Sequence, residues 1–275
     1  MQDIPFTDFG GSGPLIHFAH PNSFPSKTFH RFASELTDEY RVIGMDARPM
    51  WAKSDPTELT GWDVFADDLI RFLDSQGAKG VIGMGISLGG VTTMYAALKR
   101  PDLFSKLVLI EPVFLPWRII LGSQIVPKSI MEKRSPAGAA RRRRDSHPSR
   151  QAAFDRWRQK RAFKRFPDET LWDYVNYGLK DRPDGSVELA FPKLWEAEIF
   201  NRPPAVWPKI GRVQQPALGI RGSKSNVLFS KHWQRWQRRQ PQATFIEMDG
   251  VGHLIPLEDY VGLAEHIKSW LARPD

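Results

Sequence analysis

Short apolar runs alternate with amphipathic stretches along the chain, and this alternation predicts the secondary structure. Six apolar runs predict strands: Leu15–Ala19, Arg41–Asp46, Val81–Met84, Leu107–Ile110, Pro216–Arg221 and Thr244–Met248. Helix-favouring stretches lie between and after them: Ser26–Glu39, Trp62–Ser75, Leu88–Arg100, Phe229–Arg239 and Leu257–Ala272. Ser26 is the predicted N-cap of the first helix. Apolar strands separated by helices predict an α/β fold, with a mostly parallel, doubly wound sheet covered on both faces.

One long segment interrupts this alternation. Residues 112–208 contain several helical stretches, such as Gln151–Phe166 and Asp168–Leu179, and the segment is mostly helical. The segment is rich in aromatic residues, including Trp117, Phe154, Trp157, Phe163, Trp172, Tyr174, Tyr177, Trp195 and Trp207. We interpret it as a helical cap inserted into a core formed by residues 1–111 and 209–275. Its aromatics either line a substrate pocket or form the core of the cap itself, and the second role is the commoner one for any single aromatic.

Composition narrows the class of protein. The chain has 275 residues, of which 41% are hydrophobic, which suits one large domain with an insertion. It has no cysteine, so disulfides and thiolate metal sites are excluded. The N-terminus does not resemble a signal peptide, and no run approaches the roughly 18 apolar residues of a membrane span. We therefore expect a cytoplasmic protein without stable membrane insertion, and the sequence leaves a homo-oligomer open.

Charge is concentrated in the predicted cap. The formal net charge is +8, yet residues 133–165 alone contain thirteen Lys or Arg against two Asp. The run Arg141–Arg144 within them has two interpretations: it attracts an anionic partner, or it belongs to a solvated cap loop. We favour the solvated loop and expect no nucleic-acid partner, because no nucleic-acid-binding module is visible.

The strand at Val81–Met84 leads directly into Gly85-Ile-Ser87-Leu-Gly89, and a helix follows. A serine at such a strand-to-helix turn has a strained backbone, and the two glycines remove Cβ atoms that would clash. The pattern is a G-x-S-x-G nucleophile elbow, which presents the serine hydroxyl at the carboxyl end of the strand. Two glycines around a serine are weak evidence alone, so the surrounding strand and helix matter.

With these landmarks the chain resembles the α/β-hydrolase superfamily over nearly its whole length, and in particular a bacterial esterase-like subgroup with a helical cap. The elbow is one landmark. His17-Phe-Ala-His20-Pro-Asn22-Ser-Phe-Pro25, after the first parallel strand, is similar to the oxyanion loop. Gly250-Val-Gly-His253-Leu-Ile-Pro, after the last strand, matches the loop of the catalytic histidine. Asp46-Ala-Arg48 resembles the turn that braces such sites.

The resemblance implies roles for individual residues. Ser87 is the nucleophile, and it needs an adjacent base, for which His253 is the candidate. Backbone N–H groups of Leu88 and Asn22 would form the oxyanion hole. Pro21 replaces the usual glycine of this loop but leaves the Asn22 donor in place. Of the other histidines, we expect His20 to brace the oxyanion loop, and His232 and His266 to lie in surface helices.

The acid that would orient His253 has two candidates. Family members usually carry it in the loop after the Pro216–Arg221 strand, where this sequence has Asn226, an amide that cannot stabilise an imidazolium by charge. Other members carry it after the preceding strand, where this sequence has Glu111. We predict a Ser87–His253–Glu111 triad, with Asn226 as the alternative to the acid. Asp249 more commonly would shape its turn.

These expectations together predict a serine hydrolase that cleaves a small-molecule carboxylic ester or related acyl compound, with no metal and no cofactor. Haloalkane and epoxide hydrolysis on this fold use an aspartate nucleophile, which Ser87 argues against. Two alternatives remain: a ligand-binding protein that lost catalysis, and another reaction such as lactone or C–C bond hydrolysis. The sequence does not identify the acyl group or the alcohol.

Overall fold

The computed structural model describes residues 4–126, 132–133 and 135–273. Within these residues ten strands form: β1 (Phe6–Gly10), β2 (Leu15–Ala19), β3 (Arg41–Met45), β4 (Val81–Ile86), β5 (Phe104–Ile110), β6 (Ser146–His147), β7 (Leu179–Asp181), β8 (Val187–Leu189), β9 (Ala217–Gly222) and β10 (Thr244–Met248). The α-helices of the same residues are α1 (His30–Ser34), α2 (Asp63–Ser75), α3 (Leu88–Lys99), α4 (Trp117–Ile125), α5 (Pro136–Arg142), α6 (Arg150–Arg158), α7 (Asp168–Tyr177), α8 (Lys193–Asn201), α9 (Ser230–Arg239), α10 (Ile255–Glu258) and α11 (Tyr260–Leu271).

A seven-stranded sheet forms the centre of the fold, in the order β1-β3-β2-β4-β5-β9-β10. Strand β1 is antiparallel to β3, whereas every other neighbouring pair is parallel. Strand β4, which ends one residue before Ser87, lies in the middle of this order with β5 beside it. The carboxyl ends of the parallel strands therefore meet at one edge, where ligand sites of open α/β sheets form.

Hydrophobic cores lie on both faces of the sheet. Leu107 and Leu109 of β5 belong to one core, with apolar side chains of α2, α3 and α9, while Val108 and Ile110 belong to the other, with those of α1 and α11. Successive strand residues point to opposite faces, so a strand buried on both sides is apolar at every position. The predicted mostly parallel α/β sheet with two covered faces is confirmed.

The elements agree with the sequence-based prediction except in a few places. All six predicted strands are present, but the antiparallel edge strand β1 was missed. The predicted helix Ser26–Glu39 is a 3-10 turn over Ser26–Phe29 followed by the short α1, and the residue at its N-cap is Pro25, so the Ser26 N-cap was wrong. The predicted helix Leu257–Ala272 is instead two helices, α10 and α11, separated by Asp259.

Residues 112–208 contain helices α4 to α8, and they also form a small antiparallel sheet of order β6-β8-β7, which the prediction of a mostly helical segment did not include. The stretch Gln151–Phe166 is helical only as far as Arg158, with a 3-10 turn over Arg161–Phe163. Across the residues that the structure describes, no helix is both long and apolar enough to cross a membrane.

Candidate active site

Ser87 lies between β4 and α3 in a left-handed backbone conformation, with φ 56° and ψ −113°. A Cβ on Gly85 would come within 2.4 Å of the Gly89 backbone, and a Cβ on Gly89 within 2.0 Å of the Ala19 carbonyl oxygen. Both distances are far below normal contact, so only glycine fits at either position. The Ser87 N–H donates to the Ile110 carbonyl at 3.0 Å, which ties the strained turn to β5.

The Glu111 carboxylate lies against the His253 ring, with 3.0 Å between Glu111 Oε2 and His253 Nδ1. Glu111 follows β5 immediately and is fully buried. Its carboxylate also accepts hydrogen bonds from the Gly222 N–H at 2.8 Å and from the Ser225 hydroxyl at 2.6 Å. An imidazole held at Nδ1 by a carboxylate has Nε2 free to act as a base.

The Ser225 hydroxyl, which the sequence did not point to, donates a hydrogen bond to Glu111. Its neighbour Asn226 was the predicted alternative to the acid. Asn226 is exposed and lines the cavity described below, and its side chain has no hydrogen bond to His253 within the described part of the chain. Asp249 accepts a hydrogen bond from Ser223 at 2.8 Å, and this bond together with the Gly250 N–H lowers the pKa of its carboxyl group. Asp249 therefore shapes its own turn, as expected.

The loop after β2 is held by the turn at residues 46–48. The Ala47 N–H donates to His20 Nε2 at 2.8 Å, and His20 Nδ1 lies 2.8 Å from the Pro21 carbonyl oxygen, so the ring donates from Nδ1. Burial lowers the pKa of His20, although Asp46 opposes the shift. The Asp46 carboxylate also accepts from the Ser26 N–H at 3.1 Å. This bracing places Asn22 beside the elbow.

One cavity of about 770 Å³ brings most of these residues together. Ser87, Leu88, Asn22, Asn226 and His253 all line it, and Glu111 lies behind His253. The described residues contain no hydrogen bond between the Ser87 hydroxyl and the His253 ring. Catalytic hydrogen bonds of this kind are often long without substrate and shorten when it binds.

Residues 112–208 supply much of the remaining cavity wall. Of the aromatics highlighted in the sequence, Trp157, Phe163 and Tyr174 line the cavity, and their rings also stack on one another, with 4.7 Å between the centroids of Trp157 and Tyr174. They are at once pocket wall and core. Trp195 and Trp207 are buried in the core shared with the main sheet and do not line the cavity.

Arg143 connects the cavity wall to the loop after β2. Its guanidinium donates to Glu196 Oε2 at 2.6 Å and to the Tyr174 hydroxyl at 2.8 Å. The Asn22 side-chain amide in turn donates to the Glu196 carbonyl oxygen at 3.3 Å, and the Tyr174 hydroxyl lies 3.5 Å from the Ser23 carbonyl oxygen. A network on α7 and α8 thus contacts the segment that carries Asn22.

The run Arg141–Arg144 is not a solvated loop throughout, which corrects the sequence-based preference. Arg141 forms ion pairs with Glu132 and Glu198, and Arg143 with Glu196, while Arg142 and Arg144 are exposed. Alternate residues therefore face inward and outward as the chain leaves α5. Acidic partners about ten and more than fifty residues away explain why the run alone could not indicate this.

His232 lies in α9, a helix with an exposed face, as expected, but its own side chain is buried between the rings of Trp207 and Phe229. His266 is exposed on α11, as expected. His17 is fully buried in the sheet and accepts a hydrogen bond from the Met45 N–H at 3.2 Å. Burial, with a smaller contribution from His20, lowers the pKa of His17 to about 3.

Comparison with known proteins places this chain among hydrolases. A model of the alpha/beta hydrolase family matches residues 15–266. The 2-(acetamidomethylene)succinate hydrolase of Mesorhizobium japonicum is 32% identical over 258 residues, which cover 89% of this chain and 83% of that protein. A strigolactone esterase of Arabidopsis thaliana is 32% identical over 112 residues, which cover only 38% of this chain and 42% of that protein.

Solved structures show the same fold. A crystal structure of E-2-(acetamidomethylene)succinate hydrolase superposes with a TM-score of 0.78 at 20% identity, covering 98% of this chain and 99% of the other. A thioesterase domain from the curacin biosynthetic pathway superposes with a TM-score of 0.75 at 17% identity and the same coverage. These likenesses confirm the α/β-hydrolase fold that the motifs predicted.

Proposed function

The chain belongs to the alpha/beta hydrolase family, and on that premise we propose that it is a serine hydrolase acting on carboxylic esters or related acyl compounds through an acyl-enzyme. The observation that carries the proposal is the 3.0 Å contact between the Glu111 carboxylate and His253 Nδ1, beside a cavity that contains Ser87. Glu111 and His253 are 142 residues apart in the sequence, and the fold brings their side chains together.

The proposed reaction begins at Ser87. Its hydroxyl oxygen attacks the carbonyl carbon of the substrate while His253 Nε2 takes the hydroxyl proton. The imidazolium that forms carries a positive charge, which the buried Glu111 carboxylate stabilises. Hydrogen bonds from the Gly222 N–H and Ser225 hold that carboxylate in one orientation toward the ring.

The tetrahedral intermediate places a negative charge on the former carbonyl oxygen. The Leu88 N–H, at the positive end of helix α3, and the Asn22 N–H are the donors that we assign to it. The intermediate then expels the alcohol, which receives the proton from His253. A water activated by His253 releases the acid product and restores the Ser87 hydroxyl.

Labelling with a fluorophosphonate probe tests the proposal directly. We expect covalent labelling and turnover of para-nitrophenyl acetate by the unmodified protein, and loss of both in Ser87→Ala. His253→Ala should lose turnover. Ser105→Ala removes an exposed hydroxyl that donates to the Gly80 carbonyl, and it serves as the matched control. A protein with neither labelling nor turnover would leave a non-catalytic ligand-binding protein as the better interpretation. A Ser87→Ala variant that keeps most of its turnover would show that Ser87 is not the nucleophile.

A further inference from the structure

Apart from His253, the charged residues of the described cavity wall all come from one segment of the chain. Apart from His253, the described lining residues include three ionisable side chains that carry charge near neutral pH: Arg143, Lys160 and Glu196. All three belong to residues 112–208 and line the same cavity as Ser87. The remaining lining is largely apolar. Lys160 is itself an exposed residue, so its side chain reaches solvent as well as the cavity.

Glu196 is already neutralised. Its Oε2 accepts from Arg143 at 2.6 Å, and only 12% of the Glu196 side chain is exposed. Burial lowers the pKa of the Arg143 guanidinium, but Tyr174 and Glu196 raise it by more, so the net shift is upward. The Arg143–Glu196 pair therefore contributes two opposite charges that cancel.

Lys160 differs from these residues because its side chain has no ion-pair partner among the described residues. Within the described part of the chain its ammonium group has no ion pair and no side-chain hydrogen bond, although every other charged group of this wall has one. Burial, together with the positive charges of Arg156 and Arg143, lowers the pKa of Lys160, while Glu196 opposes the shift. A cation that neighbouring cations destabilise gains most from an added anion.

From this arrangement we propose that Lys160, flanked by Arg143, binds a carboxylate group of the substrate, so that the enzyme prefers acyl compounds carrying a carboxylate away from the reacting carbonyl. The inference rests on the proposed hydrolase function, because it names the substrate class of the same cavity. A carboxylate here would neutralise the excess positive charge of the wall while the acyl carbonyl faces Ser87.

Two pairs of esters distinguish where the carboxylate lies in the substrate. The para-nitrophenyl monoester of adipic acid carries it on the acyl side, and the corresponding primary amide has the same length without the charge. The acetate ester of para-hydroxybenzoic acid carries it on the alcohol side, with the para-hydroxybenzamide ester as its neutral match. We expect a preference in kcat/KM of about tenfold for the charged member of one pair, expressed in KM and reduced by salt.

Lys160→Met removes the charge at nearly constant length, and it should abolish the charged-to-neutral preference. Lys164→Met removes a lysine four residues away that is exposed and does not line the cavity, so it should leave the preference intact. The absence of any charged-to-neutral preference in both pairs, in the unmodified protein, would overturn the inference. So would an equal loss in the Lys160 and Lys164 variants, since that would reflect net charge alone.

Binding separates this inference from the proposed function. Calorimetry on Ser87→Ala with the monoanilide of adipic acid, compared with the same anilide bearing a terminal amide, requires no hydrolysis. Tighter binding of the charged anilide by about tenfold, lost in the double variant with Lys160→Met, supports the subsite even if no ester is turned over. Equal binding of the two anilides overturns it even if the protein proves to be an esterase.

Discussion

Glu111 has a left-handed backbone, with φ 47°, directly after a regular strand. Its N–H still donates to the Ile220 carbonyl at 2.8 Å, so the strand pairing extends to this residue before the chain turns. A non-glycine residue in this region costs of the order of 1–3 kcal/mol and persists only where its surroundings hold it. Here the Gly222 N–H, Ser225 and His253 provide three contacts to the carboxylate.

Glu111→Gln should lower kcat/KM by two or more orders of magnitude, because the amide keeps the shape but cannot stabilise an imidazolium by charge. Asn226→Ala should cost much less, since its side chain is exposed and has no hydrogen bond to His253 among the described residues. Turnover of para-nitrophenyl acetate by both variants, with circular dichroism as the check on folding, compares them. A tolerant Glu111 together with an essential Asn226 would show that an amide orients the histidine.

Gly89→Ala should both destabilise the fold and impair activity. The added methyl would lie 2.0 Å from the Ala19 carbonyl oxygen, which is backbone and cannot rotate away. Overpacking of this kind costs about 1–3 kcal/mol. Among the described residues nothing lies within 4 Å of the Cβ position of Gly122 in helix α4, so Gly122→Ala is the matched control and should be neutral or stabilising by up to about 1 kcal/mol. Urea unfolding measures both, and equal effects would contradict the steric argument.

Among the single elements, helix α8 has two buried or partly buried faces with different surroundings. Trp195 is buried in the core shared with the main sheet, while Glu196 and Phe200 face the cavity. We propose that α8 acts as part of a cap formed by residues 112–208, which sets substrate choice. The helix is suited to this because its core-facing residues fix its position, while its cavity-facing residues can contact a substrate.

Phe200→Ala should shift the preferred acyl length toward longer chains, because it removes a bulky side chain from the cavity wall. Leu194→Ala truncates another exposed apolar residue of the same helix that does not line the cavity, and its length profile should match that of the unmodified protein. Rates with para-nitrophenyl esters from acetate to decanoate give the two profiles. If both variants keep the same profile, α8 does not determine acyl length.

At the scale of the whole molecule, the buried His17 makes the fold sensitive to acid. The pKa of this side chain is lowered from 6.5 to about 3 in the folded state, whereas the unfolded chain takes up a proton near pH 6.5. The unfolded state therefore binds more protons below that pH. The stabilisation is fully present above pH 6.5 and is lost progressively as the pH falls toward 3.

Between pH 7 and pH 5 this single group should lower the free energy of unfolding by about 2 kcal/mol. His17→Gln retains an acceptor for the Met45 N–H but cannot be protonated, so its stability should depend less on pH over this interval, whatever its absolute value. His266→Gln replaces an exposed histidine and is the control. Urea unfolding at pH 7, 6 and 5 measures the slopes, and identical slopes in all three proteins would contradict the assignment.

The parallel strands and the elbow could be predicted from the sequence, because both depend on residues that are near neighbours in the chain. The apolar runs specified the parallel strands, since a strand buried on both faces must be apolar throughout. The spacing of Gly85, Ser87 and Gly89 specified the elbow, because its sterics involve contacts within a few residues and one adjacent strand. The placement of Glu111 at a strand end was likewise readable, although only by resemblance to other hydrolases.

Side-chain contacts between residues far apart in the sequence depend on the tertiary structure. Ser225 is 114 residues from Glu111, and Arg143 is 53 residues from Glu196. Glu111 and His253 are 142 residues apart, and their pairing was predicted only through resemblance to other hydrolases. No local pattern encodes such a pairing, because a carboxylate or a guanidinium looks the same in sequence whether its partner is a water molecule or a buried side chain. The break at Asp259 was hidden for a related reason, since the flanking apolar residues continue the helical spacing while packing decides where the backbone turns.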